Sequence, residues 1–176
     1  MTGRQQPGRR HPQGWLPAAA AVACLALAGC SHAAAASGTT SGAGTAVCVN
    51  AAHVDSLTID RLNPLHQNFH FAVPAQVTIT DAHQAQAVAK ALCALPPVGH
   101  RSISCPADWG IRYRLHFAAS TGKLPPVTIA ATGCTMVTGL GPVRSISGLF
   151  GFWSVLGKAA GLSHASLATF AGAPRT

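Results

Sequence analysis

Apolar and polar residues alternate most cleanly over 111–117, where Ile111, Tyr113, Leu115 and Phe117 are separated by Arg112, Arg114 and His116. A period of two is the mark of a strand with one face buried. Val127 to Thr132 alternates in the same way. Across a connection containing Thr121-Gly122-Lys123 it is the expected hairpin partner, with His116 facing Thr128. Leu57 and Ile59 within Ser56 to Asp60, and Val77 and Ile79 within Gln76 to Thr80, predict two more short strands, the first cut off by Arg61. Thr135 to Thr138 predicts another. Asp81 opens a helix, because Asp-x-x-Gln with Gln84 is an N-terminal capping pattern. Ala85, Val88, Leu92 and Leu95 form its apolar stripe, and Pro96-Pro97 stop it. Ser147 opens a second helix with Leu149, Phe152, Trp153, Leu156 and Ala160 on one stripe and Gly161 as its stop. Gly148, Gly151 and Gly157 lower its propensity, so packing must hold it. The order β-β-α-β-β-(β)-α, with strands polar on one side, predicts an α+β fold. It should be a two-layer sandwich, an antiparallel sheet of about four to five strands with two helices on one face.

The ends of the 176-residue chain follow another pattern. Met1 to Trp15 is polar and carries Arg4, Arg9 and Arg10 without an acid; Leu16 to Gly29 is largely apolar. A basic segment followed by an apolar run shorter than the ~20 residues of a spanning helix reads as a secretory signal peptide over 1–29. Residues 30–46 hold no large apolar side chain. As a Gly/Ser-rich coil they make a tether with a span of roughly 20–24 Å. The folded domain is expected over 47–162, and the small-residue segment 163–176 as a disordered tail.

Cysteine usage agrees with export. Cys24 leaves with the signal, and four cysteines remain beyond Cys30: Cys48, Cys93, Cys105 and Cys134. None is spaced as Cys-x-x-Cys, which argues against a zinc ribbon or a thioredoxin-type site and for two disulfides. In the expected hairpin Cys134 lies opposite Gly110, and the turn Pro106-Ala107-Asp108-Trp109 brings Cys105 beside it. Cys105–Cys134 is then the easy pair, leaving Cys48–Cys93. Loop closure gives each about 3.5–4 kcal/mol.

Leu27-Ala28-Gly29-Cys30 resembles the lipobox of bacterial lipoproteins. The resemblance implies cleavage before Cys30, acylation of its sulfur and a protein anchored by lipid at the outer face of the bacterial cell membrane. Two or more acyl chains hold stably where one binds reversibly. Cys105-Pro106-Ala107-Asp108-Trp109-Gly110-Ile111, Tyr113-x-Leu115-x-Phe117, Gly133-Cys134-x-x-Val137 and Phe152-Trp153-x-x-Leu156 resemble small exported proteins and lipoproteins of GC-rich Gram-positive bacteria. That resemblance covers under half of the chain. It implies an exported α+β domain, with no activity and no catalytic residue to carry over.

The chain has no Glu and only four Asp, which excludes H-E-x-x-H metalloproteases and most paired-carboxylate glycosidases. No Gly-x-Ser-x-Gly occurs. His66 and His70 have the spacing of two metal ligands on a helix, yet Asn63-Pro64 and the extended reading of 69–73 give no reason for their rings to converge. No cofactor is implied. Beyond residue 29 nine basic residues face four acidic ones, a charge of +5. Alternation puts Arg112, Arg114 and His116 on one strand face, with Thr58, Thr78, Thr80, Thr128 and Thr132 as expected neighbours. This is the candidate face for an anionic ligand, an envelope polymer or an acidic protein. Nucleic acid fits neither the compartment nor the motifs. Two functional classes follow: a non-enzymatic envelope binding or scaffold domain, and, as the alternative, an envelope enzyme or metal-binding protein using His66, His70, His83 and an Asp.

Overall fold

The computed structural model describes residues 46–63, 68–99, 104–146 and 151–175. The signal segment, Cys30, the tether up to residue 45, His66, Ser147 and Leu149 lie outside the described residues. A helical turn at 46–49 leads into β1 (Val54–Leu62), β2 (Phe69–His70), β3 (Gln76–Ile79), α1 (Ala82–Cys93) and β4 (Arg112–Ala119). The chain continues through β5 (Gly122–Lys123), β6 (Val127–Ala130), β7 (Met136–Thr138), β8 (Arg144–Ser145), α2 (Gly151–Ala159), α3 (Leu167–Ala171) and β9 (Ala173–Pro174). None of the described helices is long and apolar enough to cross a membrane.

The fold mixes α and β around an antiparallel sheet, as alternation implies. The sheet is larger than expected: its order is β3-β1-β4-β6-β7-β8, with β5 also paired to β4, seven strands in place of four to five. β5 and β8 are two residues long, too short to show a period. β2 and β9 make a separate two-stranded sheet. β1 runs through Arg61 where a break was expected. Arg61 stays in register opposite Tyr113, donates from Nη1 to the Val73 carbonyl, and sets its guanidinium 3.9 Å from the centre of the Phe71 ring. A long side chain whose charge finds acceptors can extend a core-facing row.

Leu57, Ile59, Tyr113, Leu115, Phe117, Val127, Ile129 and Val137 are buried, while the residues alternating with them stay partly or fully exposed. α1 adds Ala85, Val88, Ala89 and Leu92; α2 adds Phe152, Trp153 and Leu156. Asp81 caps α1 by accepting the Gln84 N–H at 3.2 Å, an interaction worth about 1 kcal/mol. The far end of α1 is held by Arg144, whose Nη1 donates to the carbonyls of Cys93 (3.0 Å) and Leu95. Gly161, at φ +80°, ends α2: its N–H reaches the Lys158 carbonyl and the Leu162 N–H reaches that of Gly157.

Residues 163–175 are not a loose tail. Phe170 in α3 is fully buried, its ring centre 5.3 Å from that of Tyr113 and 5.1 Å from that of Trp153, and its carbonyl accepts the Tyr113 hydroxyl at 2.8 Å. Small residues hid this segment, because one aromatic anchor leaves no periodic stripe. Both disulfides are present, Cys48–Cys93 with Cα atoms 5.6 Å apart and Cys105–Cys134 with 4.8 Å.

The hairpin register differs from the expected one by two residues. Arg114, in place of His116, faces Thr128, and Leu115 faces Val127. The chain turns early, at Ser120-Thr121, so that Ala119 pairs Gly122 and Ala118 pairs Lys123. Pro125 and Pro126 lack N–H groups and cannot continue that ladder, and pairing resumes at Val127 shifted by one residue. A slip of two keeps every side chain on its face, where a slip of one would have exchanged them.

Candidate functional site

The segment before β4 is organised by one carboxylate. Asp108 Oδ1 accepts the Gly110 N–H (2.9 Å), the Thr132 hydroxyl (2.7 Å) and Arg112 Nη1 (3.0 Å), while Oδ2 accepts Arg112 Nη2 (2.6 Å). An Asp accepting the N–H two residues on is the local chemistry of a turn. The fork of the guanidinium then matches both carboxylate oxygens. Gly133 lets the two segments touch: at φ +70° it brings its backbone so near that a Cβ there would stand 3.0 Å from that of Asp108. Cys105–Cys134 clamps the same place covalently. The hydrogen bonds from Arg112 above all, which outweigh the opposing desolvation, and those from Thr132 and Gly110 hold Asp108 well below the usual carboxylate range.

The partly exposed side of the sheet carries polar residues in direct cross-strand register. One row runs Gln76, Asp60, Arg114, Thr128, Thr138 over five strands; the next begins Thr78, Thr58, His116. Directly opposed side chains have Cβ atoms about 5 Å apart, so each row is a contiguous surface. Gln76 Nε2 donates to Asp60 Oδ1 at 2.7 Å, His116 Nε2 lies 3.2 Å from Asp60 Oδ2, and the Thr58 and Thr78 hydroxyls are 3.4 Å apart.

This side therefore holds Arg112, Arg114 and His116 together, but their charges are not equally available. Arg112 is engaged bidentately by Asp108, and His116 lies against Asp60. Arg114 is exposed and makes no ion pair among the described residues. Thr132, an expected neighbour, is buried and turned to Asp108. In place of a cationic stripe the face carries one free guanidinium, a second paired with Asp108, and an imidazole against Asp60. An Asp four positions before Arg112 was the available signal, hidden because i,i+4 spacing suggests contact only on a helix.

Between this row and the Cys105–Cys134 bridge the sheet surface is hollowed into a groove of about 310 Å³. Ala130 and Met136 line it together with Thr128, Thr138, Asp108 and Arg112, and Arg112 stands directly across the β4–β6 ladder from Ala130. A second depression, of about 250 Å³, lies beyond Thr132-Gly133. It is bordered by Trp109, 49% exposed and edge-on to Phe69 at 6.0 Å, and by Leu167 and Pro174. Trp109 sits in the turn that Asp108 closes by accepting the Gly110 N–H.

His70 sits exposed in β2 and His83 exposed in the first turn of α1, on different elements. Among the described residues no three His, Cys, Asp or Glu side chains converge as metal ligands would. No protein-family model, curated protein or solved structure matches this chain.

Proposed function

We propose that this chain is an envelope protein held at the outer face of the bacterial membrane by lipid on Cys30, and that its folded body is a non-enzymatic binding domain. In this reading the body is a two-layer α+β sandwich. α1 and α2 cover the buried face of the sheet and leave the polar face to a ligand. The observation that carries the reading is the ordered polar row from Gln76 to Thr138, a surface five strands wide with the unpaired Arg114 at its centre. A rigid sheet holds such groups in fixed positions, which lowers the ordering cost of recognition. The ligand is an anionic component of the envelope, and Arg114 is its cationic contact; Arg112 offers it no free charge, because that charge is paired with Asp108.

The reading has two parts and each is tested separately. Cys30→Ser is expected to abolish incorporation of a radioactive fatty acid; unchanged labelling refutes the anchor. Arg114→Ala is expected to weaken binding to anionic vesicles by about 1 kcal/mol, roughly fivefold, at low salt. The loss should fade as salt screens the exposed charge. Equal binding by the variant removes this face.

A further inference from the structure

Arg114 faces Thr128 directly across the β4–β6 ladder, and Thr128 also lines the 310 Å³ groove. The free cation thus adjoins the groove without lining it. Three features of the groove define what suits it. Part of its lining is apolar, from Ala130 and Met136 with the Cys105–Cys134 bridge. The charged residues that line it, Asp108 and Arg112, neutralise each other. The pair is also unsaturated: Asp108 Oδ1 already takes three hydrogen bonds, whereas Oδ2 takes that of Arg112 alone among the described residues. The guanidinium has five N–H donors, and its contacts to Asp108 and to the Ile111 carbonyl use three.

An acceptor and a donor therefore stand side by side in a groove that Thr128 and Thr138 also line. Neighbouring hydroxyl groups of a ligand, each both donor and acceptor, satisfy such a pair. An ionised carboxylate or phosphate, which only accepts, would leave Asp108 Oδ2 without a second donor. A lining part apolar and part polar suits a pyranose ring, whose C–H face is apolar and whose edge is hydroxylated. The volume lies at the small end of ligand sites, about 300–1,000 Å³, the size for one or two sugar units. The acid group that the groove rejects has its place two residues along β4 from Arg112, at Arg114.

We propose that this groove binds a sugar ring of an acidic glycan, the ring over Ala130 and Met136, its hydroxyls at Asp108 and Arg112, and its acid group at Arg114. The proposal rests on the reading of this sheet face as a ligand-binding surface and names the ligand class. The test is calorimetric titration of the full chain in detergent with uronic-acid trisaccharides and with their methyl esters, which keep the ring and lose the charge. Ala130→Leu fills the groove with a residue strands accept. It is expected to weaken binding of acid and ester at least tenfold while leaving binding to anionic vesicles unchanged. Arg114→Ala is expected to weaken the acid about fivefold and leave the ester unaffected. Acid binding that Ala130→Leu does not alter and Arg114→Ala does would overturn the groove and keep the face as an anion surface. Ester bound as tightly as acid would overturn the role of Arg114. No binding of any trisaccharide at millimolar concentration overturns the sugar; if vesicle binding is absent as well, the reading of the face falls with it.

Discussion

Phe170→Ala decides whether the last dozen residues belong to the folded body. The ring is fully buried between Tyr113 and Trp153, and α3, which carries it, is five residues long. A helix that short has no stability of its own in water, so the segment depends on this anchor and on the pairing of β9 with β2. Removing a buried Phe side chain costs about 3–5 kcal/mol, through lost transfer energy and the cavity left behind. The 2.8 Å hydrogen bond from Tyr113 goes to the backbone carbonyl of Phe170, so the variant retains the acceptor. Its loss would enter only if α3 detaches, leaving the buried phenol unpartnered at a further cost of about 1–3 kcal/mol. Against a typical domain stability of 5–15 kcal/mol, a fall of about 3–4 kcal/mol is a large fraction, and the melting temperature should drop by about 10 °C or more. Urea unfolding followed by tryptophan fluorescence measures it, with Leu167→Ala as control: that side chain lies on the same helix, 39% exposed, and should cost under ~1 kcal/mol. A change below ~1 kcal/mol for Phe170→Ala would refute the packing and return 163–175 to the loose tail that its composition suggests.

Asp108 is held low in the folded state, so the unfolded chain takes up its proton first as pH falls; stability should decline from about pH 4 downward. Asp108→Asn, compared with wild type by urea midpoints at pH 7 and pH 3, should lose less over that interval; an equal loss would show that the Arg112 pair does not couple to folding. Burial pushes the Tyr113 hydroxyl up to about 12. Above about pH 10 the unfolded chain therefore releases a proton that the folded one keeps, stability falls with rising pH, and Tyr113→Phe should flatten that fall. Peptide mapping of the oxidised protein should link Cys48 to Cys93 and Cys105 to Cys134, and Cys48→Ala/Cys93→Ala should cost about 4 kcal/mol by loop closure. A Cys93–Cys105 peptide would contradict both pairings.

The parts of the fold that local physics writes into the chain were legible. β4 alternates without a fault over 111–117, and α1 has a cap, a stripe and a proline stop, so each is specified by its own residues. The disulfide pairing was legible as well, because any hairpin near the expected register brings Cys134 to the turn that carries Cys105. The two-residue slip arose where the local signal is weakest: Ser120-Thr121 lacks the Asn-Gly or Asp-Gly pair that marks a two-residue hairpin turn, and the effect of Pro125-Pro126 depends on where the turn falls. β5, β8 and α3 are shorter than any period that would reveal them. At the candidate site, alternation placed Arg112, Arg114 and His116 on one face. Their unequal charges depend on Asp108 and Asp60, which the turn and the neighbouring strand bring in. A count of basic residues cannot separate a free guanidinium from one already bound.

The Cys48–Cys93 bridge also determines how the body bears load. A pull on the chain before residue 46 enters at the helical turn and passes at Cys48 through a covalent bond into the C-terminal end of α1, where Arg144 ties the helix to β8. The 45 residues from one sulfur to the other include β1, β2, β3 and α1. At ~3.3–3.6 Å per residue they would otherwise extend by about 150 Å. With the bridge intact that length cannot be drawn out, so tension from the N-terminal side cannot unravel β1 from the sheet by peeling. The bond acts as a mechanical fuse set by redox state: oxidised, the body resists as a block; reduced, it opens from its first strand.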